Sequence, residues 1–195
     1  MSYQHPTGFI ELICGPMFSG KSEELIRRLR RAQIARQRVQ VFKSSLDDRY
    51  DEQQIVSHSE QALKAVVVKS SDELMGQVDD RVEVVGIDEV QFFDDGIVAA
   101  CEKMANLGKR VIVAGLDLDY RGVPFEPVPQ LMAVAEYVTK ALAVCSRCGA
   151  PASRSQRITA SDERIVVGAK DSYEARCRHH FEPDFSTQLA MELDK

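Results

Sequence analysis

The sequence predicts an α/β fold, a mainly parallel sheet covered by helices, followed by a small module of different character. Three observations predict it. Short apolar segments rich in Val and Ile alternate with amphipathic helical ones. A glycine-rich pattern stands where the first apolar segment passes into the first helix. After Ala143 the chain turns to Cys, Arg, Ser and Gly with little periodicity. Strand alternating with helix implies right-handed βαβ units and strands buried on both faces. A length of 195 residues allows one full domain and one small appendage. The boundary falls near Ala143, giving domains 1–143 and 144–195.

The elements follow in order. Phe9–Cys14, Val39–Lys43, Ala65–Val68, Val82–Ile87 and Val111–Leu116 read as strands, being short, β-branched and mostly not alternating. Ser22–Ala35 reads as a helix with Leu25, Ile26, Leu29 and Ala32 on one face, and Arg27, Arg28, Arg30 and Arg31 turned outward. Ser70-x-x-Glu73 is a capping box for a short helix. Asp94 or Asp95 caps a further helix that runs through Leu107 and stops at Gly108.

Composition excludes several functions. Lys+Arg at 25 against Asp+Glu at 30 leaves a net charge of -5, so no excess of cations displaces counterions from nucleic acid. No apolar run approaches the roughly 18 residues of a membrane span. Met1–Gly8 shows no basic cluster and no apolar segment of a signal peptide, so a cytoplasmic protein is expected.

Gly15-Pro16-Met17-Phe18-Ser19-Gly20-Lys21-Ser22 fits G-x-x-x-x-G-K-[ST] between a strand and a helix, the context of a P-loop. The fold expected is therefore P-loop NTPase-like (RecA-like). The glycines let backbone N–H groups turn toward phosphate oxygens, and the helix start adds its positive dipole end. Lys21 would reach the β- and γ-phosphates of ATP, and Ser22 would ligate Mg²⁺. The bland alternative is a strand–helix turn without a ligand. Val82–Asp88 supplies the second element, an apolar strand ending in Asp88, which would hold Mg²⁺, with Glu89 beside it to accept a proton from an attacking hydroxyl. Met17 and Phe18 are larger and more apolar than a phosphate loop requires, and read as walls of an apolar base pocket, with core packing as the competing reading.

Five cysteines are present, three of them after residue 140. Cys145-x-x-Cys148 and Cys177-x-x-His180 form two chelating pairs, the four-ligand demand of structural Zn²⁺. His179 is an alternative fourth ligand, and a redox C-x-x-C is the competing reading. Cys14 and Cys101 read as buried apolar residues.

GPMFSGKS at Gly15–Ser22, DEVQFF at Asp88–Phe93, Leu116-Asp117 before Tyr120 and the C-terminal cysteine pairs together resemble the thymidine kinases of the cytosolic, zinc-containing type, from about Gly8 to His180. The resemblance implies transfer of the ATP γ-phosphate to the 5′-hydroxyl of thymidine with Mg²⁺. It gives Glu89 as catalytic base, with Lys21 and Arg49 as catalytic cations, and places Asp88, Glu89, Val90 and Gln91 at the ATP phosphates. Met17, Asp47, Arg49, Phe92, Leu116 and Tyr120 match positions around the nucleoside. Tyr173 and Arg164, Ile165, Val166, Val167 and Gly168 match a lasso that closes over thymine, making the C-terminal module a zinc-binding lasso domain. A homotetramer, end-product feedback by dTTP and no nucleic-acid or membrane partner are further implications. Ser44-Ser45 and Glu60 depart from the family pattern, and His58 is left without a functional role. The alternative is a P-loop ATPase whose zinc module acts on DNA, which the acidic balance opposes. A scaffold without turnover would require loss of Glu89 or Lys21, and both are present.

Overall fold

The protein is seen here as a computed structural model that describes residues 8–46, 54–56, 62–159 and 172–182. The strands are β1 (Phe9–Cys14), β2 (Val39–Ser44), β3 (Gln54–Val56), β4 (Ala62–Lys64), β5 (Val66–Val68), β6 (Val84–Asp88), β7 (Arg110–Gly115) and β8 (Tyr137–Lys140). The helices are α1 (Lys21–Ile34), α2 (Ser71–Gln77), α3 (Gly96–Asn106) and α4 (Val128–Val134). Six strands form one sheet in the order β5-β2-β6-β7-β1-β8, every pair parallel. β3 and β4 form a separate antiparallel pair.

Alternate residues of the sheet feed two cores. Ile10, Leu12 and Cys14 join Val85, Ile87, Val111 and Val113 under α2, α3 and α4. Ile13, Val41, Val84, Ile112 and Ala114 pack under Leu25, Ile26, Leu29 and Ala32 of α1. Both faces are covered, which is why these strands read as unbroken apolar runs rather than alternating ones.

Local signals behave as their chemistry predicts, with two exceptions. The Ser70 hydroxyl accepts the Glu73 N–H, and the Glu73 carboxylate accepts the Lys69 N–H, so α2 begins with a capping box shifted by one residue. Asp94, rather than Asp95, holds the start of α3. Its carboxylate accepts the N–H of Gly96 and ties α3 to α2 through the Ser71 N–H and hydroxyl. Gly108 ends α3 in the left-handed region at φ 86. Arg28, expected to face outward with its neighbours, instead lies against the sheet. Its guanidinium donates to the buried Glu11 carboxylate at 2.6 Å and to Thr139, while Arg110 takes the other Glu11 oxygen at 2.6 Å. A buried carboxylate demands such partners, and Arg28 is within reach.

Strand β8 was not foreseen. It closes the sheet on the outside of β1, with Tyr137 and Val138 exposed. Beyond it lie two short antiparallel pairs, β9 (Ala143–Val144) with β10 (Pro151–Ala152), and β11 (Arg154–Arg157) with β12 (Tyr173–Arg176). Their small core is Ala143, Cys145, Ala152, Ala175 and Cys177. Among the described residues, no helix is long and apolar enough to cross a membrane.

Candidate active site and metal centre

The sheet sends the ends of β1, β6 and β7 to one edge, and the predicted chemistry collects there. Gly15 leaves β1 at φ 144, and a Cβ on it would lie 2.2 Å from the Ala141 carbonyl oxygen, so only glycine fits against the end of β8. Pro16 O receives two donors, the Lys21 ammonium at 2.8 Å and the Ser19 hydroxyl at 2.8 Å. Lys21 is thus buried and folded back into its own loop. The Ser22 hydroxyl donates to Asp88 Oδ1 at 3.4 Å, and the Glu89 N–H donates to the same oxygen at 3.0 Å. These contacts join the loop after β1 to the end of β6 across the intervening β7.

Glu89 sits in the left-handed region at φ 49 and ψ 47. A non-glycine residue there is uncommon, and strain of this kind persists where surrounding structure fixes it. Gln91 does the fixing. Its side-chain NH₂ donates to Glu89 Oε2, and its Oε1 accepts the Leu116 N–H at 3.0 Å. Val90 lies between them with its side chain fully in the core, so only its backbone is left for the site. Phe92 is half-buried, and its carbonyl accepts the Ser44 hydroxyl at 3.2 Å. The departure at Ser44 therefore anchors the turn that carries Phe92.

Met17 and Phe18 part company. The Met17 N–H donates to Ser155 Oγ of β11 at 2.9 Å, which ties the loop to the C-terminal module. Phe18, at φ 64, packs on the core containing Cys145 and Cys177. Its packing there is the core-packing alternative for this residue, and its half-buried ring joins the phosphate loop to the cysteine module. Beneath the loop, Asp117 is buried, with Lys140 Nζ 2.9 Å from its Oδ2 in a charge contact lacking hydrogen-bond geometry. Burial first, and the Asp117 charge second, push the Cys14 thiol up, leaving it an unreactive apolar residue.

Tyr120, from the loop after β7, and Tyr173, on β12, both meet Arg157 of β11. Arg157, which pairs with Tyr173 in register, donates to the Tyr173 hydroxyl at 2.7 Å and lays its guanidinium 3.6 Å from the Tyr120 ring centroid. Sequence reasoning missed Arg157 and Ser155. The period of two in β11, Ser155 and Arg157 on one face, was the available signal. Leu116 is half-buried at the end of β7. Asp47, Arg49 and the stretch Arg164–Gly168 lie outside the described residues, as do His58 and Glu60.

The metal-ligating atoms of Cys145, Cys148, Cys177 and His180 lie within 4.8 Å of one another. Cys148 Sγ and Cys177 Sγ are 3.8 Å apart, and His180 Nδ1 is 3.3 Å from Cys177 Sγ and 3.9 Å from Cys145 Sγ. Tetrahedral Zn²⁺ at ordinary bond lengths separates two thiolates by about 3.8 Å, so the set fits a closed structural zinc site. The geometry chooses His180; His179 is exposed and stacks edge-on against the His180 ring. Burial opposes ionisation of Cys145, yet backbone donors from Cys177, Arg147 and Cys148 outweigh it and hold this thiol at about 6.

Comparison with known proteins agrees. The thymidine kinase family model matches residues 8–181. A curated thymidine kinase from Rhodothermus sp. (strain ITI 518) is 61% identical over 183 residues, covering 94% of this chain and 85% of that protein. Among solved structures, the flagellar accessory protein FlaH from Methanocaldococcus jannaschii aligns with a TM-score of 0.50 over 81% of this chain and 75% of its own, at 14% identity, a likeness of fold alone. With its family motifs in place on this sheet edge, the chain belongs to the thymidine kinase family.

Proposed function

We propose that the chain transfers the γ-phosphoryl group of ATP to the 5′-hydroxyl of thymidine, with Glu89 as base and Lys21 and Arg49 as cations at the transferring group. The supporting observation is the convergence of Lys21, Ser22, Asp88 and Glu89, with Ser22 and Glu89 both bonded to Asp88 Oδ1. Glu89 accepts the 5′-proton as the hydroxyl oxygen attacks the γ-phosphorus. The bond to the β–γ bridging oxygen breaks, and ADP leaves. Lys21 and the backbone N–H groups from Phe18 to Ser22 neutralise charge on the phosphates through this step, the Met17 N–H being held by Ser155. The Ser22 hydroxyl and Asp88 carboxylate form an oxygen donor set suited to Mg²⁺, which when bound supplies further charge neutralisation on the β- and γ-phosphates. Met17, Asp47, Phe92, Leu116, Tyr120, Tyr173 and the stretch Arg164–Gly168 hold the nucleoside in this reading. Assaying each nucleoside with ATP and Mg²⁺ tests it, thymidine being the preferred acceptor.

Base choice follows from chemistry. An apolar wall made by Met17, Leu116 and Tyr120 accepts the thymine methyl, and rejects its absence by only about 1–3 kcal/mol. Deoxyuridine is therefore a usable but poorer substrate. Deoxycytidine reverses the donor and acceptor order at its N3 and N4 edge, leaves backbone partners unpaired, and is rejected much more strongly. Comparable kcat/KM for thymidine and deoxycytidine would overturn the pocket.

Cys145, Cys148, Cys177 and His180 hold one structural zinc, which fastens the two ends of the stretch between Cys148 and Cys177 that carries β11, β12 and Tyr173. Metal analysis of purified protein is expected to find one zinc per chain, lost in Cys177→Ser. Because Phe18 packs on the cysteine core, ATP affinity is expected to fall with the metal. Unchanged zinc content in that variant would sink the ligand assignment. Domains 1–143 and 144–195, a homotetramer and a cytoplasmic location belong to the same reading. Feedback by dTTP has a chemical basis in it, since thymine and triphosphate together would fill the nucleoside site and the phosphate loop.

A further inference from the structure

We propose that Arg157 is a positioning residue for the nucleoside, holding Tyr120 and Tyr173 in fixed relation to each other. The proposal rests on the reading that these two tyrosines face thymidine. They come from opposite parts of the chain, Tyr120 from the loop after β7 and Tyr173 from the start of β12. No contact between their rings holds them together among the described residues. Arg157 does so with two different surfaces of one side chain. Its edge donates to the Tyr173 hydroxyl at 2.7 Å, and its face lies 3.6 Å from the Tyr120 ring centroid.

The placement is built rather than incidental. Arg157 is buried, at 8% exposure, and so is Tyr173, at 7%. Burying a guanidinium is costly unless it is partnered, and here one terminal N–H meets the Tyr173 hydroxyl while the face lies on the Tyr120 ring. Arg157 is also in direct register with Tyr173 in the β11–β12 pair, so the strand pairing fixes the bond. Two residues earlier on the same strand face, Ser155 holds the Met17 N–H of the phosphate loop. One strand thus carries two separate anchors, Ser155 toward the phosphates and Arg157 toward the two tyrosines. Loss of Arg157 should therefore act on thymidine and spare ATP.

The experiment compares Arg157→Met, Arg157→Lys, Tyr173→Phe and the combined Arg157→Met/Tyr173→Phe variant, with KM for thymidine and for ATP, kcat, zinc content and Tm measured in each. Arg157→Met is expected to raise the thymidine KM by about tenfold, from loss of a charge-assisted bond. KM for ATP and kcat at saturating thymidine stay within about threefold, because the group does not take part in phosphoryl transfer. Arg157→Lys rescues little, since an ammonium has neither the planar face nor the fork. Adding Tyr173→Phe to Arg157→Met costs no more than Arg157→Met alone, the non-additivity expected of direct partners. An unchanged thymidine KM in Arg157→Met, or an ATP KM that rises in step with it, overturns the proposal. Should Arg157→Met lose zinc or melt early, Arg157→Lys carries the same test with the charge kept. Tyr120→Leu tells the two levels apart. If it leaves the thymidine KM unchanged, the placement of the nucleoside fails and Arg157 with it. If it raises that KM while neither Arg157 variant does, the placement stands and Arg157 alone falls.

Discussion

Glu89→Gln is expected to lower kcat for thymidine by about 10²–10⁴-fold while thymidine and ATP still bind with near-normal affinity. The substitution removes the ability to take a proton and little else. Gln91 Oε1 accepts the Leu116 N–H, which fixes the orientation of the Gln91 amide and points its NH₂ at Glu89. A glutamine at position 89 can offer its own carbonyl oxygen to that donor, so the contact survives. The Glu89 N–H, bonded to Asp88 Oδ1 at 3.0 Å, is untouched, as is the left-handed backbone. The pocket stays in shape, and its base is gone. Calorimetric titration with each substrate, beside steady-state kinetics, separates the two. Near-normal turnover in Glu89→Gln would remove Glu89 as the base.

What the sequence made legible is what burial and strict local geometry write into it. β1, β6 and β7 are covered on both faces, so their Val and Ile runs have one reading. The loop from Gly15 to Ser22 is constrained by a close approach to the Ala141 carbonyl and by a left-handed turn, and such constraints restrict residue type. The two C-x-x-[CH] pairs are legible because tetrahedral coordination needs four ligands wherever they lie along the chain. β8 was hidden for the opposite reason. It is an edge strand with exposed Tyr137 and Val138, and its residues carry no burial pattern. Arg28 was misread because helical periodicity cannot reveal Glu11 on a strand below, whose buried carboxylate draws it inward. The partner of Phe18, the core around Cys145 and Cys177, is remote in sequence and invisible to a local rule. Arg157 falls in the same class: the alternation in β11 sets it on one face with Ser155, but its role depends on meeting both Tyr120 and Tyr173 in space, which no local pattern announces.

Lys21→Ala is expected to lower kcat/KM for ATP by about 10²–10³-fold or more while leaving thymidine binding intact, the reverse selectivity from Arg157. The ammonium donates to Pro16 O at 2.8 Å, and that carbonyl also receives the Ser19 hydroxyl. The loop therefore keeps one internal bond when Lys21 is truncated, and it need not unfold. What is lost is a charge that can pass from a carbonyl of its own loop to the oxygens between the β- and γ-phosphates. That movement exchanges a neutral acceptor for an anionic one, so the contact strengthens as negative charge builds on the bridging oxygen during transfer. An interaction that grows toward the transition state must show in kcat as well as in KM. A loss confined to the ATP KM would mean that Lys21 only docks the nucleotide, and full activity in Lys21→Ala would remove it from the site. Lys21→Arg separates charge from shape. A guanidinium keeps the charge but cannot occupy the narrow position beside Pro16 O in a side chain buried to 8% exposure, so rescue is expected to be small.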